Sequence, residues 1–165
     1  MVASLCLCAS VVHLDALDRM FDLRQFLPYL INRAGARLAV KFSREIAVNG
    51  VALQEWRVLA ALAAQGSQRL SDLAHLTSID LSTLSRLVGR MERQALVARV
   101  RSDGDRRALR VELSVKGRRI AQAIIPTAER YERVALAGIS PDEERLLKGL
   151  LERVYLNLDR LERHG

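Results

Sequence analysis

The sequence predicts a mainly α-helical chain carrying one small β-hairpin, and three observations predict it. Leu, Ala and Arg dominate a composition with 4% aromatic residues, a mix that favours helices over sheets by intrinsic propensity. Apolar residues recur at three-and-four spacing through most of the chain, as on one face of a helix, while a single stretch around Asp103-Gly104 alternates with period two. At 165 residues, half of them apolar, there is material for one compact domain and its core.

Residues 1–20 read unlike the rest of the chain and are expected to be a disordered or mis-assigned N-terminal extension, leaving 21–165 as the single domain. Met1 to Val12 is apolar but lacks the positive start of a secretory signal and is too short to cross a bilayer, so the expectation is a cytoplasmic protein with no membrane span. Cys6 and Cys8 form a C-x-C pair, too few ligands for a structural zinc and strained as an internal disulfide. No metal and no cofactor is implied.

From Phe21 to about Ile46, the spacing of Leu23, Phe26, Leu27, Leu30, Ile31, Ala34, Leu38 and Phe42 predicts the first amphipathic helix, with Pro28 starting or kinking it. Asn49-Gly50 breaks the pattern. Leu53 to Gln65 is the second helix, turning Trp56, Leu59, Leu62 and Ala63 inward and ending at Gly66. Leu70 to Thr77 is a short third helix with Ser71 as N-cap and Leu73, Ala74 and Leu76 inward. Ser78-Ile79-Asp80 then leaves room only for a tight turn, as in a helix-turn-helix.

The fourth helix is predicted from about Leu81 to Ala95, capped by Asp80. Leu81, Leu84, Leu87, Val88 and Met91 form its apolar stripe, which exposes Ser82, Thr83, Ser85, Arg86, Gly89, Arg90 and Arg93. Val97 to Arg101 and Leu109 to Leu113 alternate apolar and charged residues, so each is a half-buried strand, and Ser102 to Arg107 holds the Asp-Gly turn of a two-stranded hairpin. Lys116 to about Leu136 is helical again through Ile120, Ala123, Ile124, Tyr131 and Val134, with a kink expected at Pro126. Ser140-Pro141-Asp142-Glu143 is a capping box opening the last helix, whose Leu147, Leu150, Leu151, Val154, Leu158 and Leu161 approach a heptad seam.

Charge separates the function classes. Eleven of the 26 basic residues but four of the 19 acidic ones fall between Leu81 and Ile120, so the whole net charge of +7 belongs to that segment. A field concentrated there is what a polyanion-binding face requires, since clustered Arg releases counterions condensed on phosphates. In a helix-turn-helix the second helix enters the major groove, which assigns base reading to Ser82, Thr83, Ser85 and Arg86, and phosphate tracking to Arg90 and Arg93. Short hydroxyl side chains let a helix approach the groove floor, and Arg can form bidentate bonds to guanine. The hairpin adds Arg101, and an Arg106 or Arg107 at its tip can reach the narrow minor groove with Asp105 orienting it.

These residues carry a family resemblance. Leu70-Ser71-Asp72-Leu73-Ala74, Leu81-Ser82-Thr83-Leu84-Ser85-Arg86-Leu87-Val88, Met91-Glu92-Arg93, Leu96-Val97 and the wing Asp103-Gly104-Asp105-Arg106-Arg107 resemble the multiple antibiotic resistance regulator (MarR) family. The family's wing has a D-x-R pattern, then a strand ending in Leu-Thr and a Gly; here these are Asp105-Arg106-Arg107, Leu113-Ser114 and Gly117. The resemblance implies a winged helix-turn-helix lobe over about 53–115 and dimerisation helices over about 21–47 and 116–163. It also implies an obligate homodimer on double-stranded DNA and an operator-binding repressor. By carry-over Arg107 is the minor-groove arginine, and Leu147, Leu150, Leu151, Val154 and Leu158 pair the subunits. A small aromatic or phenolic acid is the effector the family implies, with Tyr29, Arg33, Arg37 and Trp56 as its candidate contacts.

Three rival readings differ in class. An enzyme would need a catalytic constellation, but the chain holds no H-E-x-x-H, no phosphate-cradling Gly loop and no G-x-S-x-G, and His13, His75 and His164 are scattered. A sequence-indifferent architectural nucleic-acid binder would explain the basic segment by counterion release alone. A thiol-based redox-sensing regulator would use Cys6 or Cys8.

Overall fold

The computed structural model describes residues 21–102 and 105–162, and for 102, 105–108, 161 and 162 the backbone alone. The expected extension 1–20, with both cysteines, and the tip residues Asp103 and Gly104 lie outside the described residues. The chain divides into two compact units, one ending at Arg37 and one beginning at Leu38. Among the described residues no helix is long and apolar enough to cross a membrane.

The elements are α1 (Leu27–Ile46), a 3-10 turn (Ala47–Asn49), α2 (Leu53–Gln65), β1 (Gln68–Arg69), α3 (Leu70–Thr77), α4 (Leu81–Arg93), β2 (Val97–Ser102), β3 (Asp105–Leu113), α5 (Val115–Ala135) and α6 (Pro141–Glu162). This is the mainly α architecture with a small antiparallel sheet that spacing predicts. The first helix starts at Leu27 rather than Phe21, because Pro28 fits only its first turn, where no N–H is needed. Pro126, by contrast, sits inside α5, which runs through it without a break.

The sheet has three strands, ordered β1-β3-β2, not two. Gln68 pairs with Val111 and Arg69 with Arg110, and the Arg110 guanidinium locks the edge by donating to the Ser67 carbonyl at 2.5 Å and to its Oγ at 3.3 Å. Because the chain passes straight from β1 into α3, the N-cap is Arg69. Ser71 lies inside the helix, its hydroxyl turned to Asp72. On β2 the register holds from Val97↔Leu113 to Arg101↔Leu109 and then shifts to Ser102↔Asp105.

One core serves the second unit. Val58, Leu59 and Leu62 of α2, Leu73 of α3, Leu84, Leu87, Val88 and Met91 of α4, Val111 and Leu113 of β3, and Ala121 and Ile124 of α5 are buried together, with Phe42 and Ile46 from the end of α1. Each fully buried aliphatic side chain contributes about 1.5–3 kcal/mol before entropy is charged against it. Ala63, Leu76, Leu81, Ala123 and Val134, expected inward, are exposed instead: they sit at the edges of stripes whose centres fill the core.

Two helix ends set the direction of the chain around α4. After α3, Ser78 adopts a left-handed conformation (φ 50°), and the amides of Ser78 and Ile79 donate back to His75 and Ala74; Ile79 is buried as the helix's hydrophobic stop. After α4, Ala95 does the same (φ 56°), with Ala95 and Leu96 donating to Glu92 and Met91. That closure ends α4 at Arg93, two residues before the expected limit, and turns the chain into β2.

Candidate nucleic-acid interface

Asp80 begins α4 as its N-cap. One oxygen, Oδ1, accepts from the Ser82 amide at 3.0 Å, the Thr83 amide at 3.1 Å and the Ser82 hydroxyl at 2.6 Å. Those bonds, the Ser82 hydroxyl's first, hold the Asp80 carboxyl below its ordinary value of 3.8. Stability from this cap is therefore complete above 3.8 and is lost as pH falls through the lowered folded value. Asp80→Ala is expected to lower Tm at neutral pH, with the gap to the native chain closing in strong acid; a gap independent of pH would remove the charged cap from the account.

At 100° per residue, Ser82, Thr83, Arg86, Arg90 and Arg93 fall within one narrow stripe of α4, with Ser85 at its flank. Ser82, Arg86, Arg90 and Arg93 are exposed and Thr83 and Ser85 half-buried, while Leu84, Leu87, Val88 and Met91 anchor the opposite side. The helix therefore presents two hydroxyls and then three guanidinium groups along one line, on a base that cannot rotate without emptying the core. Glu92 meets Arg99 of β2 at 3.7 Å, which ties that strand face to the end of α4. Arg101, two residues on, shares the face and is exposed.

Not every basic residue of the segment is free for a polyanion. Arg110 is committed to Ser67, Lys116 donates to the Gln94 carbonyl at 2.9 Å, and Arg99 pairs with Glu92. Asp105, Arg106 and Arg107 belong to β3 by backbone, so they continue a strand instead of forming a loop; their side chains lie outside the described residues. The register shift after Arg101 breaks the regular alternation of the inner strands before the hairpin's outer end.

The remaining candidates separate by unit. Tyr29 is half-buried and Arg33 and Arg37 are exposed on the unit that ends at Arg37. Trp56 belongs to the other, where its ring packs edge-on against Phe42 at 5.8 Å, and Phe42 packs on Tyr131 at 5.5 Å. The Tyr131 hydroxyl donates to Glu45 at 2.6 Å, and Arg130 pairs with the same carboxylate, so Glu45 is held below the usual carboxylate range, chiefly by the tyrosine. On α6, Leu147, Leu150, Leu151 and Leu158 are exposed and Val154 half-buried. Spacing offers no hint of Tyr155, whose hydroxyl lies 3.4 Å from Ser78 Oγ and whose ring lies 6.2 Å from His75, linking α6 to the turn before α4.

Comparison with known proteins points the same way. The MarR family profile matches residues 49–108, the stretch from the turn before α2 to the outer wing. A probable transcriptional regulator from Pseudomonas aeruginosa is 32% identical, over 81% of this chain and 99% of its own, with a TM-score of 0.69. A MarR-family transcriptional regulator from Silicibacter pomeroyi is 27% identical over 82% and 92%, with a TM-score of 0.74. BpsR from Bordetella bronchiseptica, whose DNA binding is regulated by 6-hydroxynicotinic acid, is 27% identical over 82% and 96%, with a TM-score of 0.72. With a core-anchored second helix after a tight turn, a β2-β3 wing and these relatives across four-fifths of its length, the chain belongs to the MarR family of winged helix-turn-helix transcriptional regulators.

Proposed function

We propose that the chain is a sequence-specific repressor that binds a palindromic operator as a homodimer and is released by a small aromatic acid. The observation that carries the reading is the polar stripe of α4, where exposed Ser82, Arg86, Arg90 and Arg93 stand opposite a buried apolar stripe. Arg86 suits bidentate bonding to guanine O6 and N7, while Arg90 and Arg93 suit phosphates and Arg101, Arg106 or Arg107 the neighbouring groove. Repression then needs no more than occupancy of the duplex. Footprinting upstream of the protein's own gene tests this. A protected palindrome with half-sites about one helical turn apart supports it, whereas uniform protection of any duplex favours the architectural reading.

The wing makes a separate prediction. Arg107→Ala is expected to weaken operator binding and to reduce the slope of log affinity against log salt by about one. Unaltered affinity and slope would remove this arginine from the interface.

The release step draws on BpsR, and on Tyr29, Arg33 and Arg37 recurring at four-residue spacing along α1, which gives one face an aromatic ring and two cations. A carboxylate on an aromatic ring matches that chemistry. Trp56, the chain's single tryptophan, reports on the core of its own unit, where it packs on Phe42. Titration with hydroxylated aromatic acids is expected to change its fluorescence and lower operator affinity together; neither responding counts against the effector.

A further inference from the structure

The Ser82 hydroxyl has one proton, and the structure shows where it goes. Its oxygen lies 2.6 Å from Asp80 Oδ1, the shortest of three bonds to that carboxylate oxygen, and an ionised carboxylate can only accept. Asp80 is itself exposed and pinned at the cap by the Ser82 and Thr83 amides, so the hydroxyl cannot turn away without giving up a charge-assisted bond. What Ser82 shows to anything beyond α4 is therefore a pair of lone pairs and no donor.

We infer that Ser82 is an acceptor-only reader of the major groove, set in that polarity by Asp80, and that it selects a base carrying an amino group, adenine or cytosine, on the strand it faces. This rests on the proposal that the chain binds an operator and adds to it the class of base edge recognised. The chemistry is one-sided because adenine N6 and cytosine N4 are donors, whereas guanine O6 and thymine O4 are acceptors that would meet the serine oxygen lone pair to lone pair. A serine free to rotate would accept either edge, which is why an isolated serine on a reading helix carries little sequence information.

The test uses the full-length protein and synthetic duplexes. Selection from a random library with the native chain and with Ser82→Ala identifies the base pair whose preference depends on Ser82. At that pair, removing the amino group (purine for adenine, or pyrimidin-2-one for cytosine) is expected to weaken native binding roughly three- to tenfold, the range of one hydrogen bond, and to leave Ser82→Ala unaffected. Removing the keto oxygen instead (2-aminopurine for guanine, or the 4-deoxy analogue for thymine) is expected to leave both alike. Asp80→Gly retains a residue tolerated at an N-cap while freeing the hydroxyl proton. It is expected to narrow the preference between the native pair and its reversal, read as a ratio because loss of a carboxylate raises affinity for every duplex. The inference is overturned if keto removal weakens native binding, if no pair depends on Ser82, or if Asp80→Gly leaves the ratio unchanged. Equal binding of all duplexes by the native chain overturns the operator reading itself, a result readily told apart from these.

Discussion

Replacing Leu150 and Val154 together with Asp is expected to convert the protein to single chains and to abolish operator binding. Among the described residues of α6 none is fully buried in the isolated chain, although this 22-residue helix carries Leu147, Leu150, Leu151, Val154 and Leu158 along one side. A helix without a buried face draws little stability from propensity alone, so the leucines call for a covering surface, and the second copy of the proposed homodimer would supply a self-complementary one. Carboxylates placed there must lose their hydration or neutralise, at a cost of several kcal/mol each, and symmetry doubles the number. Sedimentation checks the outcome. A single-chain species that keeps the helical signal of the lobe but no longer protects the operator fits the account, while a persistent dimer means that α6 does not pair the subunits.

Gly117→Ala is expected to destabilise the lobe by about 3 kcal/mol, at the upper end for overpacking, and to lower Tm by roughly 6–12 °C. A Cβ at this position would lie 1.9 Å from the Leu96 carbonyl oxygen and 2.9 Å from its carbon. Neither side can yield. The Leu96 carbonyl accepts the Ser114 amide at 3.1 Å, Leu96 is buried, and the Gly117 amide donates at 2.9 Å to Ser114 Oγ, which in turn donates to the Ala95 carbonyl at 2.6 Å. This knot joins the end of α4, the start of β2 and the first turn of α5, so pushing it apart also displaces the wing from the reading helix. Gly149→Ala on α6 is the control: its Cβ would meet nothing within 4 Å, it lies opposite the leucine seam, and Ala favours a helix interior by about 1 kcal/mol. An unchanged Tm for Gly117→Ala would show that the junction has room to relax.

Much of this fold was readable because periodicity and punctuation agree. Asp80 before α4, Ser140-Glu143 before α6 and Gly66 after α2 mark ends where the structure has them, and the α4 stripe from Leu84 to Met91 is the centre of the core. Features built from two or three residues, or from distant partners, were not legible. Two-residue β1 has no alternation to detect and exists because Arg110, far along the chain, reaches Ser67. Ser71 looks like a cap until the incoming strand moves the boundary to Arg69.

The candidate site divides in the same way. Helical spacing is enough to align Ser82, Thr83, Arg86, Arg90 and Arg93, but it counts Arg99, Arg110 and Lys116 as free charge when each has a partner within the fold. Nor can spacing show that the Ser82 proton is already donated, because that depends on a 2.6 Å approach to the cap. Ser114, standing where the family has Thr, keeps the hydroxyl that the Gly117 junction uses, which is why the exchange is compatible with the fold.

The most direct measurement is the ratio of affinities for the protected operator and for a scrambled duplex of equal length at one salt concentration, in the native chain and in Arg86→Ala. A stripe on α4 that reads bases predicts a native ratio of about a thousandfold or more. Arg86→Ala should narrow that ratio roughly five- to hundredfold, with little change in binding to the scrambled duplex. Equal native affinities, or a ratio that Arg86→Ala leaves untouched while both duplexes weaken together, would mean that the arginines meet phosphates alone and that α4 does not read sequence.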